Sequence, residues 1–390
     1  MRKLHIINLE KMGGVERLFL QYIQDVTTKQ DFIFCISNQI GPEIAQHLTG
    51  RKVTFVNRIL NNYPIKFPPF LRKYALQTKT WLANPEAIIV WDLVPVFVAK
   101  PTRGKVIYYD HGCSWRYPHN KKTLNFFAAL DGTISASYAS KRVIALRFNL
   151  SCPSQVLINR ILPPANIFAG DKPLTAPLRL GIAARLVGLK GISVALLTLK
   201  NLLDRGINVT LDIAGKGPDE HQFIQLAKKL GIAGNVNFLG FRDDLSDFFN
   251  SIHIYLSTPV TEPFGLSCLE SLFYGVPVIY PLIDGQPEVV KNGVCGIGIT
   301  PDVTPEAHFE QCGINVNFPY DVYFPEQDAL HPPRLLAPEK CADAVLRIVN
   351  GDYEAFRRNA FEHVKSNFDS AAFMSDFNST ISEILDASRA

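Results

Sequence analysis

The 390-residue chain contains no run of 18 or more apolar residues, so no transmembrane helix is expected. Its opening, M-R-K-L-H-I-I-N-L, lacks the longer apolar region of a signal peptide and reads as a short strand. No C-x-x-C pair occurs. Cys35, Cys113, Cys152, Cys268, Cys295, Cys312 and Cys341 stand scattered, which argues against a zinc site and for reduced, mostly buried thiols of a cytoplasmic protein. RNA- and DNA-binding motifs are also missing, so nucleic acid is not an expected partner. What is present, 47% hydrophobic and 19% charged residues, describes a globular protein with ample core, and the length implies two domains.

The net charge of +4 conceals an asymmetry: residues 1–170 hold 22 Lys and Arg against 9 Asp and Glu, while the remainder is acidic. A basic first half points to acidic substrates or an anionic membrane surface, with a merely solvated face as the plainer reading.

Ser257–Val289 organises the chain. Ile252–Leu256 reads as a buried strand, followed by a polar turn with Thr261, Glu262, Pro263 and Gly265. Leu266, Leu269 and Phe273 fall at helical spacing, predicting a helix from about Phe264 to Tyr274 that Gly275 and Pro277 end. Val276–Tyr280 then reads as a buried parallel strand. Glu262 is thereby placed just outside a helix N-terminus and Glu270 on the second turn. Two carboxylates so held accept hydrogen bonds from sugar hydroxyls, and the helix start offers N–H groups to an anion. Taken alone, the pair also fits two ordinary surface glutamates.

The string E-P-F-G-L-S-C-L-E-S-L-F-Y-G-V-P-V-I resembles the Glu-x7-Glu signature of retaining GT-B glycosyltransferases of family 4. The resemblance implies an α/β fold of two Rossmann-like domains facing a cleft, with a C-terminal helix returning to the first. It divides the chain into an acceptor-side domain, 1–170 plus the returning helix 371–390, and a nucleotide-sugar-binding domain, 171–370. It extends to other segments. Met12-Gly13-Gly14-Val15-Glu16-Arg17, between a strand and a helix, is similar to the family's G-G-x-E-R loop facing the donor phosphates. His111 stands past a strand's carboxyl end, where α/β sheets bind ligands. A lone histidine is usually structural; this one matches the family's strand-end H-G, implying contact with the transferred sugar. Arg185 and Lys190, five apart on a glycine-containing loop, make a clamp suited to a diphosphate. They resemble the family's G-R-L-x-x-x-K-G, with Ala184 in place of a glycine. Gly215-Lys216-Gly217-Pro218 matches G-x-G-P near the nucleotide, and Phe241 falls where the base is expected.

The resemblance thus assigns catalysis to Arg185, Lys190, Glu262 and His111. It assigns donor binding to Gly13, Gly14, Gly215, Gly217, Phe241, Pro263, Phe264, Gly265, Leu266 and Glu270. No metal and no cofactor is expected, the co-substrate being a UDP- or GDP-linked sugar. Asp243 and Asp244 precede a helix and read as caps rather than metal ligands. The expected acceptor is a glycan or lipid-linked glycan of surface polysaccharide or lipopolysaccharide type, handled in the cytoplasm or at the inner membrane face. An epimerase or phosphorylase on the same fold, or a non-catalytic sugar- or lipid-binding protein, are the alternatives.

Three segments stay open. Arg58–Leu82 alternates aromatics with bases around Pro68-Pro69, fitting a membrane-facing surface or a packed helix with basic edges. Trp115, Arg116, Tyr117 and His119 form a packed loop or an acceptor-side one. Thr300–Pro338 shows no clear periodicity and reads as a long loop, functional or mobile. Ile161–Pro177 reads as a linker, and helices are predicted at Pro338–Val349, Tyr353–Asn367 and Ala371–Ala390.

Overall fold

A computed structural model describes residues 1–163, 172–368 and 370–387. The chain divides into two compact units, Met1–Arg160 with Ala371–Ala390, and Ile161–Ser370. The expected boundary at 170/171 and residues 164–171 of the expected linker lie outside the described residues, as do the last three residues of the expected terminal helix.

The first unit holds seven parallel strands: β1 (Lys3–Ile7), β2 (Phe32–Cys35), β3 (Val53–Phe55), β4 (Ala87–Trp91), β5 (Lys105–Asp110), β6 (Gly132–Ser135) and β7 (Ser154–Val156). Their order is β3-β2-β1-β4-β5-β6-β7. Strand periodicity divides the core in two: Leu4, Ile6, Ile88 and Val90 join one cluster, while Ile7, Ala87, Ile89 and Trp91 join the other. Both faces are covered, which is why these strands read as unbroken apolar runs.

The Phe373–Ala387 helix covers the second of these faces with Phe377, Ile381, Ile384 and Leu385. A buried polar network ties it down. Lys3 Nζ donates to Asn378 (2.9 Å) and to the Tyr22 hydroxyl (3.0 Å), and Tyr22 donates to Asp31 at 2.6 Å. His5, beneath them, accepts from Trp91 Nε1 at 3.0 Å. Every one of these buried polar side chains has a partner, as burial demands.

The second unit holds β8 (Leu178–Ala183), β9 (Val209–Ala214), β10 (Val236–Gly240), β11 (Ile254–Leu256), β12 (Val278–Pro281) and β13 (Gly296–Ile299), parallel in the order β10-β9-β8-β11-β12-β13. Both sheets therefore share the doubly wound Rossmann order. The helices Pro338–Val349 and Tyr353–Asn367 fall where the sequence places them.

Two expectations are corrected. The last strand of the first half is Ser154–Val156 rather than Val156–Arg160. It pairs with β6, and that ladder ends at Ser135–Val156. The apolar Val156-Leu157-Ile158 drew the reading downstream of the pairing. Residues 300–338 are also not an irregular loop. A helix spans Pro305–Cys312, with Thr304 Oγ1 accepting from Ala307 N at 3.2 Å, and Gly313 ends it at φ +76°. An antiparallel hairpin follows, β14 (Val322–Phe324) with β15 (Ala329–His331). Ile314, Val316, Phe318, Val322, Phe324, Leu335 and Leu336 are buried in the second unit's core.

Candidate functional site

In a doubly wound sheet the crevice for ligands opens where the strand order reverses, outside the carboxyl ends. In the second unit that point lies between β8 and β11. Ala184–Gly191 leaves β8 there, and Ser257–Gly265 leaves β11.

Backbone contacts stitch these two loops together. Val260 N donates to Leu189 O (2.9 Å), and Thr258 Oγ1 donates to Gly191 O (2.9 Å). Gly191 has φ +67°, and a Cβ there would stand 1.8 Å from Thr258 O, so only glycine permits the approach. The Gly188–Lys190 turn is held by Asp219, whose Oδ2 accepts from Gly188 N at 2.8 Å. The result is an ion pair across the loops: Lys190 Nζ lies 2.6 Å from Glu262 Oε2, with the side chains 33% and 20% exposed. Arg185, on the same loop as Lys190, is exposed and forms no ion pair among the described residues.

Gly215 and Gly217 lie beside this loop, and their lack of a side chain serves the packing of two backbones. A Cβ would come within 1.9 Å of Ala184 O at Gly215 and 2.1 Å of Leu186 O at Gly217. Leu186 N also donates to Lys216 O at 3.0 Å. The two glycines thus fix the loop that carries Arg185. Phe241, just past β10, is exposed.

Glu262 is positioned by Asp284, which the sequence places on the last loop of the site with no contact of its own. Asp284 is fully buried and sits at φ +48°. Its Oδ2 accepts from Thr261 Oγ1 (2.7 Å) and from Glu262 N (2.9 Å), and its Oδ1 accepts from Tyr323 N (3.0 Å). One carboxylate therefore joins the Glu262 loop to the β14–β15 hairpin. The signal available in the sequence was Asp-Gly after a buried strand, a pairing that favours the left-handed region.

Gly265, at φ +100°, turns the chain into the Leu266–Phe273 helix. Gly275 N bonds back to Leu272 O and Val276 N to Ser271 O, closing the helix as a Schellman turn. Glu270 is on the second turn and half-buried, as are Pro263 and Leu266 at the entry. The Phe264 ring turns inward, edge-on to Phe368. Cys268, beneath the helix, is buried, which pushes its thiol up to about 12 and keeps it protonated. Asp244 Oδ1 accepts from Ser246 N at 2.8 Å just ahead of the helix, whose N-cap position is Leu245 rather than either aspartate.

The remaining three candidates stand in the first unit. Gly14 opens the Gly14–Ile23 helix and Gly13 is its N-cap, where a Cβ would come 2.7 Å from Glu16 Oε2. His111 follows β5. Its N–H donates to Asp92 Oδ1 at 3.0 Å, and its ring stacks on Trp91 with centroids 5.6 Å apart. Burial lowers its pKa to about 4, so the imidazole is neutral at pH 7. Trp115 is buried and His119 stacks on Phe148, while Arg116 and His119 remain exposed.

Residues 170–311 match the family model of the glycosyl transferases group 1. Among curated relatives, the chain is 34% identical over 119 residues to an uncharacterized glycosyltransferase of Methanocaldococcus jannaschii, covering 30% of each. It is 30% identical over 127 residues to the lipopolysaccharide core biosynthesis glycosyltransferase LpsE of Rhizobium meliloti, covering 33% of this chain and 36% of the relative. The chain thus aligns with about a third of the length of each. Among solved structures, Anabaena HepE in complex with UDP and glucose shares the fold with a TM-score of 0.71 at 17% identity, over 98% of this chain and 100% of the other. The architecture is that of the GT-B glycosyltransferases, two parallel Rossmann-like sheets, and the segment carrying Arg185, Lys190, Glu262 and Glu270 lies within the stretch that matches the glycosyl transferases group 1.

Proposed function

We propose that the protein is a retaining, metal-independent glycosyltransferase that moves a hexose from a nucleotide diphosphate sugar to a hydroxyl of a glycan or lipid-linked glycan. The observation that carries this reading is the Lys190–Glu262 pair at the switch point of the second sheet, with the exposed Arg185 on the same loop. A cation and a carboxylate held side by side suit a ligand that is anionic at one end and rich in hydroxyls at the other. The group 1 family match, the lipopolysaccharide role in the name of LpsE and the UDP and glucose in the HepE complex support it.

In this reading the bond between the sugar's anomeric carbon and the β-phosphate oxygen breaks, and a bond to the acceptor oxygen forms on the same face. Arg185 and Lys190 offset the charge that grows on the leaving diphosphate, where preorganised electrostatics contribute most. Glu262 contacts the sugar, Glu270 holds the ribose hydroxyls and the neutral His111 faces the transferred sugar. A donor phosphate oxygen takes the acceptor proton. UDP or GDP is the nucleotide class.

The test is transfer of labelled sugar to a mixed glycan and lipid-linked glycan pool, with the anomeric configuration of the product read by NMR. A product with inverted configuration removes the retaining mechanism. An isomerised free nucleotide sugar, with no transfer, supports an epimerase instead.

A further inference from the structure

The first unit carries a surface that the donor chemistry does not use. Residues 44–85 contain seven Lys and Arg and no Asp or Glu. The same stretch exposes large apolar side chains in unusual density: Ile59, Leu60, Tyr63, Ile65, Phe70, Leu71, Tyr74, Trp81 and Leu82. Phe70 is 69% exposed, Ile65 60% and Trp81 49%. Scattered single exposed apolar residues need no explanation, but a set this dense in one segment does.

These side chains are presented on a braced scaffold. Ile59 N bonds to Ile65 O at 2.9 Å, closing a small loop whose tip carries Leu60 and Tyr63. Asn61 fastens that loop to β3 through Phe55 N and Val53 O. Lys79, on the Arg72–Ala83 helix, donates to the carbonyls of Phe55, Val56 and Arg58, binding loop and helix together. Along the helix Tyr74, Thr78 and Trp81 share the outward face at i, i+4 and i+7, while Ala75, Leu76 and Thr80 are buried. The Arg103 guanidinium stacks 4.0 Å from the centre of the Trp81 ring and holds it.

We propose that this Ile59–Leu82 face docks on an anionic phospholipid bilayer, with Ile65, Phe70 and Trp81 entering the headgroup boundary and Lys66, Arg72 and Lys73 meeting lipid phosphates. Protruding aromatic and aliphatic side chains on a segment whose charges are all cations are what an anionic interface recognises. A protein partner would have to present an acidic ring around an apolar centre, and a second copy of this chain would set like charges together. The inference stands on this surface alone and is independent of the donor site.

The experiment uses the intact protein with vesicles of phosphatidylcholine, with and without phosphatidylglycerol, at low and high salt. Trp91 and Trp115 are each only 2% exposed, so a change in tryptophan emission on binding reports chiefly on Trp81. Co-flotation should be roughly tenfold greater with the anionic vesicles, should fall with salt and should be accompanied by a blue shift. The Ile65→Ser/Phe70→Ser variant should lose about tenfold of that binding with its melting temperature unchanged, since both side chains are exposed. Charge reversal by Lys73→Glu should weaken it further. Absence of flotation at low salt, or flotation that neither variant reduces, overturns the proposal. So does a Trp81 shift that follows protein concentration without vesicles, together with a dimer in sedimentation. Nucleotide binding measured in parallel separates failure here from failure of the transferase reading.

Discussion

Lys190 Nζ and Glu262 Oε2 are 2.6 Å apart, so the cation proposed for the diphosphate is already committed to the carboxylate proposed for the sugar. A donor must therefore compete for Lys190. Replacing Glu262→Gln removes that competitor, and UDP or GDP alone should bind a few-fold more tightly by calorimetry, while sugar transfer falls by about 100-fold or more. Lys190→Ala should weaken both. Equal loss of nucleotide affinity in the two variants would mean that the pair acts as a unit, not as competitors.

Asp284→Asn tests the brace beneath that loop. The carboxylate accepts from Thr261, Glu262 and Tyr323 at once, and an amide nitrogen can replace only one of its two acceptor oxygens by a donor. A buried N–H facing the amide then loses its partner, at a cost of about 1–3 kcal/mol. Urea unfolding should show it as a lower midpoint with unchanged slope. An unshifted midpoint would remove the bracing role.

Two glycines with the same backbone sign give a controlled comparison. Gly206→Ala, at φ +78° with nothing within 4 Å of a new Cβ, should cost only the left-handed penalty of about 1–2 kcal/mol. Gly191→Ala adds a Cβ 1.8 Å from Thr258 O and must separate the Lys190 and Glu262 loops. It should lose more stability than Gly206→Ala and abolish transfer, whereas Gly206→Ala should leave transfer intact. Similar stability and activity in the two would contradict the stitched-loop geometry.

Acid stability follows from buried histidines. Burial lowers His111, His253 and His308 each to about 4, from an ordinary 6.5. The unfolded chain takes up protons at these sites first, so the stability each contributes is present above pH 6.5 and is lost as pH falls toward 4. Asp110 works in the opposite sense. Burial, and then Asp92, push it up to about 7, so its share is full below about 3.8 and fades as pH rises through 7. With three groups against one, the melting temperature should fall between pH 6.5 and 4.5. His308→Gln should flatten that slope even if it lowers stability at pH 7. A slope unchanged by that substitution would show that His308 does not carry its share.

Much of this was readable from the sequence because buried parallel strands and glycine-ended helices leave local signals. The Leu266–Phe273 helix, its Gly275 stop and the position of Glu270 follow from spacing alone. What spacing does not reveal is which backbone approaches which. Gly215 and Gly217 read as glycines for a ligand, and that they also pack against the carbonyls of Ala184 and Leu186 is not visible in spacing. Asp284 was visible only as part of the site's last loop, because Thr261, Glu262 and Tyr323, which donate to it, come from segments up to 39 positions away. The insertion at 300–338 looked irregular because its apolar residues are spread over short elements that fill the core singly. Its Thr304-Pro305 cap and Gly313 stop were nonetheless present in the sequence.

The measurement that tests the central claim most directly is a thermal-shift panel of UDP, GDP, ADP and their sugars, with and without EDTA, on the intact protein and on Glu270→Ala. The account predicts stabilisation by one nucleotide family that is unaffected by chelator and lost in the variant. No shift with any nucleotide, or a shift that Glu270→Ala leaves untouched, would contradict it.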